Sequence, residues 1–349
     1  MIVYWSIFVI PVLFLFGKYK ADWNLQKIML WSFAIILVVL IGLRHEIGGD
    51  WDRYLTTAYA ISKTTPFPNY LSMFSGDYGY RVLHWFSENY FYGIYTTNLI
   101  CAFFFVSGLI RFCQTLPFPW LGLSIAIPFL VVVVAMGYTR QSVAVGFLMW
   151  ALVDLMAGRK LFFYISIIAG SFFHLTVLMM LPIGILYQSV KINKTTLIVV
   201  AFIVISVYFI FIRQVEHMIY YYITIEFHQS SGGVLRVFIN FMSAIVFFIF
   251  RKEFKRKFHD EKLWFIFSIM SILALPLSFF YSTFLDRIVI YMLPIQLVIL
   301  TRVAVLIKSE YNRTIFVVVI VCAYASLLFV WLNFGKFSSY WLPYKNILF

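Results

Sequence analysis

The stretch "IMLWSFAIILVVLIGLRHEIGGDWDRY" (residues 28–54) joins an apolar run to a dense group of charged residues. Residues 28–43 carry no charged side chain and are long enough for a short membrane-spanning helix. The next eleven residues hold two Arg, two Asp, one Glu and one His. Because charged groups are costly in lipid, we interpret the stretch as a membrane span that ends in a polar segment.

The composition of the whole chain points to the same class of protein. Of its 349 residues, 63% are hydrophobic and 12% are charged, and its mean hydropathy is +0.93. A soluble domain is typically about half apolar and about a quarter charged. We therefore predict an all-α polytopic membrane protein in which residues 1–349 form a single integral membrane domain.

Windows of apolar residues predict about twelve transmembrane helices. Their approximate ranges are 2–16, 28–43, 93–110, 120–137, 141–157, 161–173, 175–190, 195–212, 234–250, 263–281, 287–301 and 314–331. The chain from 161 to 190 is too long for one helix across a hydrocarbon core of about 30 Å. We expect it to break near His174 into two short spans, with a re-entrant segment at 175–190 as the alternative.

Basic loops orient the predicted bundle. The most basic segment, "RKEFKRKFHDEK" (251–262), is predicted to be a cytoplasmic loop, because Lys and Arg accumulate on the cytoplasmic side of membrane proteins. With a break near His174, the other Lys-rich loops fall on the same side. Both termini are then expected outside, and residues 44–90 are expected to form an outer loop.

The predicted outer side is rich in arginine. Its arginines are Arg44, Arg53, Arg81, Arg140, Arg213, Arg236 and Arg287. A charge at the end of a span needs a partner, and guanidinium is suited to bidentate binding of phosphate or carboxylate. Each Arg could also pair with a nearby acid or reach the membrane surface. As a set, they favour an outer cavity that binds an anionic head group carried on a lipid.

Five short segments carry a resemblance to a known family. They are Arg44 with the following "GGDWDRY" (48–54), "YTRQSVAVGFLMWAL" (138–152), "SFFHL" (171–175), "DRIVIYMLP" (286–294) and "WLPY" (341–344). These segments are similar to those of the EpsG family, exopolysaccharide and O-antigen polymerases of the Wzy type. The element "DYGY" (77–80) departs from the family pattern, which has Glu at the first position, and this weakens a role for Asp77.

The resemblance implies an activity, a location and partners. Such a protein transfers a growing glycan from one undecaprenyl diphosphate carrier to the sugar of another lipid-linked repeat unit. The transfer takes place at the outer, periplasmic face of the bacterial inner membrane, in a helical bundle of the GT-C type. No nucleotide sugar is used, and a chain-length regulator protein is a further expected partner.

The chemistry of this transfer suggests roles for the polar residues. A departing diphosphate needs positive charge, for which Arg44, Arg140 and Arg287 are the predicted ligands. A base must take the proton of the acceptor hydroxyl. Asp50, in the densest polar cluster, is the first candidate and His174 the second. Asp50 could equally form a salt bridge with a neighbouring arginine, and His174 could be a hydrogen-bonded structural residue. Further predicted substrate-binding residues are Asp52, Arg53, Tyr54, Arg81, Tyr138 and Tyr291.

Other functional classes lack their motifs in this sequence. It contains no GxxxxGK[ST], GxGxxG, HExxH or CxxC pattern, so neither a cofactor nor a metal ion is predicted. We assign most of the net charge of +13 to cytoplasmic loops that face anionic lipid, and not to nucleic-acid binding. Two alternatives stay open. A flippase or transporter of lipid-linked oligosaccharide would carry its cations in mid-membrane cavities, and a membrane acyltransferase would turn its His and Arg towards the cytoplasm.

Overall fold

The computed structural model describes residues 1–17, 22–62, 66–73, 77–189, 193–194, 196, 198–203, 205–206, 209, 233–279 and 282–349. Within these ranges the chain is mostly helical, and β-pairing is limited to one isolated bridge between Arg44 and Asn346. The all-α prediction is therefore confirmed for the described part of the chain.

In chain order, the described residues form the helices α1 (Ile2–Phe16), α2 (Trp23–Gly42), α3 (Trp51–Ser62), α4 (Phe67–Met73), α5 (Tyr78–Tyr90), α6 (Ile94–Cys113), α7 (Pro119–Ala126), α8 (Thr139–Met156), α9 (Lys160–Ser171), α10 (Leu181–Gln188), α11 (Gly233–Ile249), α12 (Arg251–Lys257), α13 (Glu261–Ser278), α14 (Ser282–Val289), α15 (Pro294–Leu306) and α16 (Glu310–Phe334). Short segments extend or join them, a π-helix at Ile127–Ala135 and 3₁₀ turns at Leu175–Met180, Ile290–Met292 and Ser338–Tyr340.

Five helical segments of the described chain are long and apolar enough to cross a membrane. They are α2, α6, α13, α16 and the stretch Leu285–Leu306, which runs from α14 to α15. A sixth results if α11 and α12, which meet at 73°, form one span, and four shorter apolar segments accompany them. The chain is thus a polytopic helical membrane protein. The total of about twelve spans stays a prediction, and the span at 195–212 lies partly outside the described residues.

The predicted break near His174 is confirmed. Helix α9 ends at Ser171, and a 3₁₀ segment begins at Leu175. Between them, His174 takes an extended conformation with φ −156° and ψ 111°, which interrupts the helical hydrogen-bonding pattern. The His174 N–H still donates to Gly170 O at 3.0 Å, so the turn stays tied to the end of α9.

The segment predicted as an outer loop, residues 44–90, is itself largely helical. It contains α3, α4 and α5, and both α3 and α5 contact α6. Trp51, Tyr54 and Tyr80 from this segment form a buried cluster with Val143 of α8. The segment therefore packs as a folded layer against the transmembrane helices.

Helix α8 is packed closely against α6. A Cβ atom at Gly108 of α6 would lie 2.2 Å from Gly146 O, and a Cβ at Gly146 of α8 would lie 2.7 Å from Phe104 O. Two glycines therefore let the backbones meet, as small residues do in membrane helix pairs. This contact fixes the position of α8, whose first residues contribute to the candidate site.

The C-terminal tail packs against the segment that follows α2. The His45 N–H donates to Lys345 O at 3.0 Å. Buried Trp341 donates through Nε1 to Val132 O at 2.8 Å, in the π-helical segment after α7. The tail thereby connects the polar segment after α2 with the chain that leads into α8.

The two ends of α8 mark the two ends of the bundle. Near the last turn of α8, Asp154 accepts hydrogen bonds from Arg111 and Arg159, and His259 Nε2 lies 3.2 Å from Met156 O. The Lys-rich helix α12 lies just before His259 in the chain, so we call this end the basic end. The opposite end, where α8 begins, is called the site end.

Candidate functional site

The first residues of α8 connect distant parts of the chain. Thr139 Oγ1 accepts a hydrogen bond from Arg44 Nη2 at 2.7 Å. Gln141 Nε2 donates to Arg287 O at 2.7 Å. Arg140 stands between them. The Arg44 side chain, Arg140 and the main chain of Arg287, from three residues predicted to bind one diphosphate, therefore all lie near the start of α8. Their binding of a ligand stays a prediction.

Asp77 joins Arg140 to His174. Its Oδ2 accepts a hydrogen bond from Arg140 Nη1 at 2.7 Å, and its Oδ1 lies 3.8 Å from His174 Nδ1. The exposed fractions of the three side chains are 15%, 28% and 16% for Asp77, Arg140 and His174. We call these three residues the Asp77 cluster. The residue whose role the family pattern weakened therefore lies at the centre of the candidate site.

The Asp77 cluster depends on contact between the segment before α5 and the turn after α9. The Gly79 N–H donates to Phe172 O at 2.7 Å. A Cβ at Gly79 would lie 2.9 Å from Phe172 Cβ, so the approach requires glycine. Asp77 itself has a φ of 50°, a conformation that Asp adopts more readily than most residues. Tertiary packing thus sets where this carboxylate points.

Neighbouring charges set the protonation states of the cluster. Burial raises the pKa of Asp77, but His174 and Arg140 together bring that pKa below its ordinary value, so Asp77 is ionised at neutral pH. Burial lowers the pKa of His174, and Asp77 only partly opposes this, while Arg287 and Arg140 lower it further. His174 is therefore neutral near pH 7 and able to accept a proton.

Tyr291 lies beside the same cluster. It is fully buried, and its hydroxyl is 2.9 Å from Thr176 Oγ1. It interacts electrostatically with Asp77 and Arg287. Tyr291, predicted to bind substrate, is thus close to the candidate catalytic groups, although its hydroxyl already pairs with Thr176.

Aromatic residues flank Arg140. The Arg140 Cζ lies 6.0 Å from the Tyr54 ring centre and 5.9 Å from that of Tyr80. Within the described ranges, the Tyr80 hydroxyl, Trp51 Nε1 and Asn98 Nδ2 are buried without a hydrogen-bond partner. Buried polar atoms are normally satisfied by protein, water or ligand, so this side of Arg140 is suited to a polar ligand.

Arg44 is buried, and its guanidinium donates hydrogen bonds to other groups of the protein. The side chain is 1% exposed, Nη1 donates to Ile41 O at 2.5 Å, and Nε donates to Ile47 O at 3.4 Å. Arg44 thereby ties the end of α2 to Thr139. No carboxylate among the described residues lies within ion-pair distance of it, so its charge adds to the positive potential where α8 begins. Direct contact with a diphosphate stays a prediction.

The polar residues after Gly49 divide between the site and the surface. Asp50 is half-buried and interacts electrostatically with Tyr138 and Arg140, which places it at the rim of the site. It forms no ion pair with any residue that the structure describes. Asp52 and Arg53 are exposed. Their binding of substrate, like the role of Asp50 as a base, stays a prediction.

A second buried ion pair borders the site. Arg236 Nε and Nη2 donate to the two carboxylate oxygens of Asp286 at 2.6 and 2.5 Å. Asp286 therefore pairs with Arg236, which is 50 residues away in the chain. Tyr138 interacts electrostatically with both members of this pair, so it too lies at the site end.

Of the two remaining arginines predicted on the outer side, the structure describes Arg81 but not Arg213. Arg81 is buried, and its Cζ lies 4.8 Å from the Tyr78 ring centre. It interacts electrostatically with Asp77 and Arg140, so it belongs to the surroundings of the cluster. Arg213 lies outside the described residues.

Several contacting residues were not singled out from the sequence. Thr139 and Gln141 make the contacts that bring the arginines together, and Thr176 pairs with Tyr291. The available signal was their position, since Thr139 and Gln141 flank Arg140 in the chain and Thr176 follows His174 closely.

Comparison with known proteins bears on this site. No protein of curated function and no solved structure matches the chain. The sequence model of the EpsG family matches residues 27–346, a range that contains the Asp77 cluster and all the arginines around it. The chain therefore belongs to the EpsG family.

Proposed function

We propose that this protein is a polysaccharide polymerase. Membership of the EpsG family relates it to polysaccharide synthesis at a membrane. The proposed reaction transfers a glycan from an undecaprenyl diphosphate carrier to a sugar hydroxyl of another lipid-linked repeat unit. The observation that carries the proposal is the Asp77 cluster, in which one carboxylate accepts a hydrogen bond from a guanidinium and lies 3.8 Å from a neutral imidazole at one end of a membrane bundle.

In the proposed reaction, the acceptor hydroxyl oxygen attacks the anomeric carbon of the donor sugar. The bond from that carbon to the diphosphate oxygen breaks, and its electron pair leaves with the diphosphate. His174 takes the hydroxyl proton, while ionised Asp77 orients the imidazole and stabilises its charged form. Such a base typically contributes about 10²–10⁴-fold to the rate, and its contacts often tighten only when substrate is bound.

The leaving diphosphate needs positive charge in a shielded place. Arg140 uses Nη1 for Asp77 and also interacts with the Tyr54 hydroxyl. A guanidinium has five N–H donors, so further donors can bind phosphate oxygens. Arg287 acts on His174 electrostatically and so lies near enough to share the developing charge. The positive end of α8, which has no acidic residue in its first turn, adds to the same field.

His174 is preferred to Asp50 as the base. No acid adjoins His174 in the sequence, but Asp77 reaches it in the fold. An imidazole also has an ordinary pKa closer to neutral than that of a carboxylate, which makes it the stronger base. Asp50 remains the alternative base, and the experiment below separates the two.

The site end is proposed to face outward from the bacterial inner membrane. The exposed residues Lys252, Lys255 and Lys257 of α12 are typical of a cytoplasmic loop, and α12 lies at the basic end. The Tyr4 hydroxyl donates to Trp341 O at 2.7 Å, so both terminal regions approach each other at the site end. This supports the expectation that both termini lie outside.

The test uses a strain that lacks this gene, complemented with variants, and compares its lipid-linked glycans on a gel. His174→Gln and Asp77→Asn should leave single repeat units without ladders, with normal protein levels in the membrane. Asp154→Asn, which removes a buried carboxylate with two Arg partners at the basic end, is the matched control and should retain ladders.

The other outcomes are also informative. Full ladders in both His174→Gln and Asp77→Asn would contradict the proposal. Full ladders in His174→Gln together with their loss in Asp50→Asn would make Asp50 the base. Loss of all outward glycan in the uncomplemented strain would indicate a flippase.

A further inference from the structure

An apolar groove of about 480 Å³ runs along α9 beside the site. Its lining consists of Phe147, Ile165, Ile168, Ala169, Phe172 and Phe173. The four residues from Ile165 to Phe172 follow the spacing i, i+3, i+4, i+7, so they share one face of the helix and its C-terminal turn. Ile165, Ile168 and Phe172 are about half exposed, at 49%, 50% and 52%. In a membrane protein, such a stripe faces lipid.

The floor of the groove is a ladder of stacked phenylalanines. The Phe147 ring centre lies 5.3 Å from that of Phe104 and 6.1 Å from that of Phe173, with both pairs nearly parallel. Lipid tails are as apolar as these rings, so burial in the groove adds little hydrophobic free energy. The groove can instead position a chain through shape and dispersion contacts.

One end of the groove meets the Asp77 cluster. Phe172, Phe173 and His174 are consecutive, and Phe172 O accepts the hydrogen bond from the Gly79 N–H. An apolar chain that lies in the groove therefore reaches the polar cluster at the point where His174 and Arg140 flank Asp77. An anionic head group at the end of that chain would meet positive charge there.

We infer that this groove seats the head-proximal part of the polyprenyl chain of a diphosphate-linked substrate. The inference rests on the proposed function. Residues 165–172 span about 10 Å along the helix, so most of a long chain stays in the bilayer. The groove is formed by one helix face and one aromatic ladder, which suits a single chain. The chain thus sets the depth at which the diphosphate enters the site.

The test is photo-crosslinking of the full-length protein in nanodiscs of phosphatidylethanolamine and phosphatidylglycerol. The probe is a polyprenyl diphosphate with a diazirine on the isoprene unit next to the diphosphate, and mass spectrometry maps the modified residues. We expect modification within residues 165–173. Ile168→Trp, which fills the groove, should reduce the yield about tenfold. Val319→Trp, at an exposed position on α16 and outside the groove, should leave it unchanged.

Three results would overturn the inference. The first is a yield that Ile168→Trp does not change, and the second is modification spread evenly over other lipid-facing helices. The third is equal modification of residues 165–173 by a photoreactive phosphatidylglycerol, which would mean that bilayer lipid alone occupies the groove. Because crosslinking needs no turnover, specific labelling in a protein that makes no ladders would uphold the groove and contradict only the polymerase. Ladders together with unspecific labelling would uphold the polymerase and contradict only the groove.

Discussion

At the basic end, Asp260 accepts two hydrogen bonds of 2.7 Å from Arg302 and a third from Trp264 Nε1. At the site end, Asp77 divides its two oxygens between Arg140 and the more distant His174. Both carboxylates are largely buried, and each accepts a hydrogen bond from an arginine. Only Asp260 has both of its oxygens in short hydrogen bonds with side-chain donors.

The two carboxylates serve different purposes at the two ends. A buried ion pair whose partners are fully bonded holds helices in place, and breaking it costs about 3–5 kcal/mol. A carboxylate shared between a cation and a titratable ring leaves the ring free to exchange a proton. The same contrast applies to Arg44, which lies at the site end without a carboxylate partner among the described residues, whereas Arg302 at the basic end has one.

The different roles assigned to the two ends require that the site end and the basic end lie on opposite sides of the membrane. In a background without Cys101, Cys113 and Cys322, a membrane-impermeant maleimide added from outside should modify Tyr340→Cys and spare Arg256→Cys. The expected effect is all-or-none, because position 340 is in the tail at the site end and position 256 is in exposed α12. Labelling of position 256 alone would overturn the orientation and the outward-facing site.

Arginine-to-lysine changes should separate the two ends by function. Arg140→Lys keeps the charge but loses the planar, multiply donating group, so we expect polymer formation to fall by about 10²-fold with normal membrane levels. Arg302→Lys should lower the melting temperature, because it spoils the paired bonds to Asp260, with activity per folded molecule retained. Polymerisation rates and melting curves of the purified variants distinguish a loss of activity from a loss of stability. Equal losses of activity would mean that both arginines are structural.

The pH dependence of polymerisation sharpens the role of His174. Because burial holds its pKa below the ordinary value of 6.5, the rate should be flat near neutral pH and fall only below about pH 6.5, approaching tenfold per pH unit. Asp77 raises the pKa of His174, so Asp77→Asn should shift the acid decline of the residual rate to lower pH. Asp154→Asn should keep the wild-type profile. A decline that begins above pH 7, or one that Asp77→Asn leaves in place, would contradict the assignment.

The smallest expected effect concerns the support of Arg44. Thr139→Val removes the hydroxyl that accepts from Arg44 Nη2 and leaves a buried charged donor unpaired, which costs about 1–3 kcal/mol. The control is Thr301→Val in α15, where an equally buried hydroxyl donates to Leu297 O and a neutral bond worth about 1 kcal/mol is lost. Thermal unfolding in detergent measures both. Equal losses would show that the Arg44 contact is not special.

Much of the architecture could be predicted from the sequence. Apolar windows located the long helices, and the limit on span length predicted the break near His174, because the cost of placing residues in lipid is local to a segment. The helices within 44–90 were not predicted, since they are too short and too polar to stand out in windows chosen for membrane spans. That segment was expected as a loop and instead packs on α6.

For the candidate site, the sequence identified most of the participants but not their pairing. Arg44, Arg140 and Arg287 were chosen because they lie at the ends of spans, and all three lie near the start of α8. Asp77 was set aside because it departs from the family pattern. The residues that Asp77 and Asp286 contact are distant in sequence, and no local pattern reports these contacts.

From the sequence alone, the chain is recognisable as a bundle of apolar helices with arginine and histidine at their ends. The position of Asp77 between Arg140 and His174, 63 and 97 residues further along the chain, is visible only in the folded protein. The physical reason is that transfer of a segment into lipid depends on its own composition. The contact of two side chains depends on the close packing of α6 with α8 and on the hydrogen bond between Gly79 and Phe172.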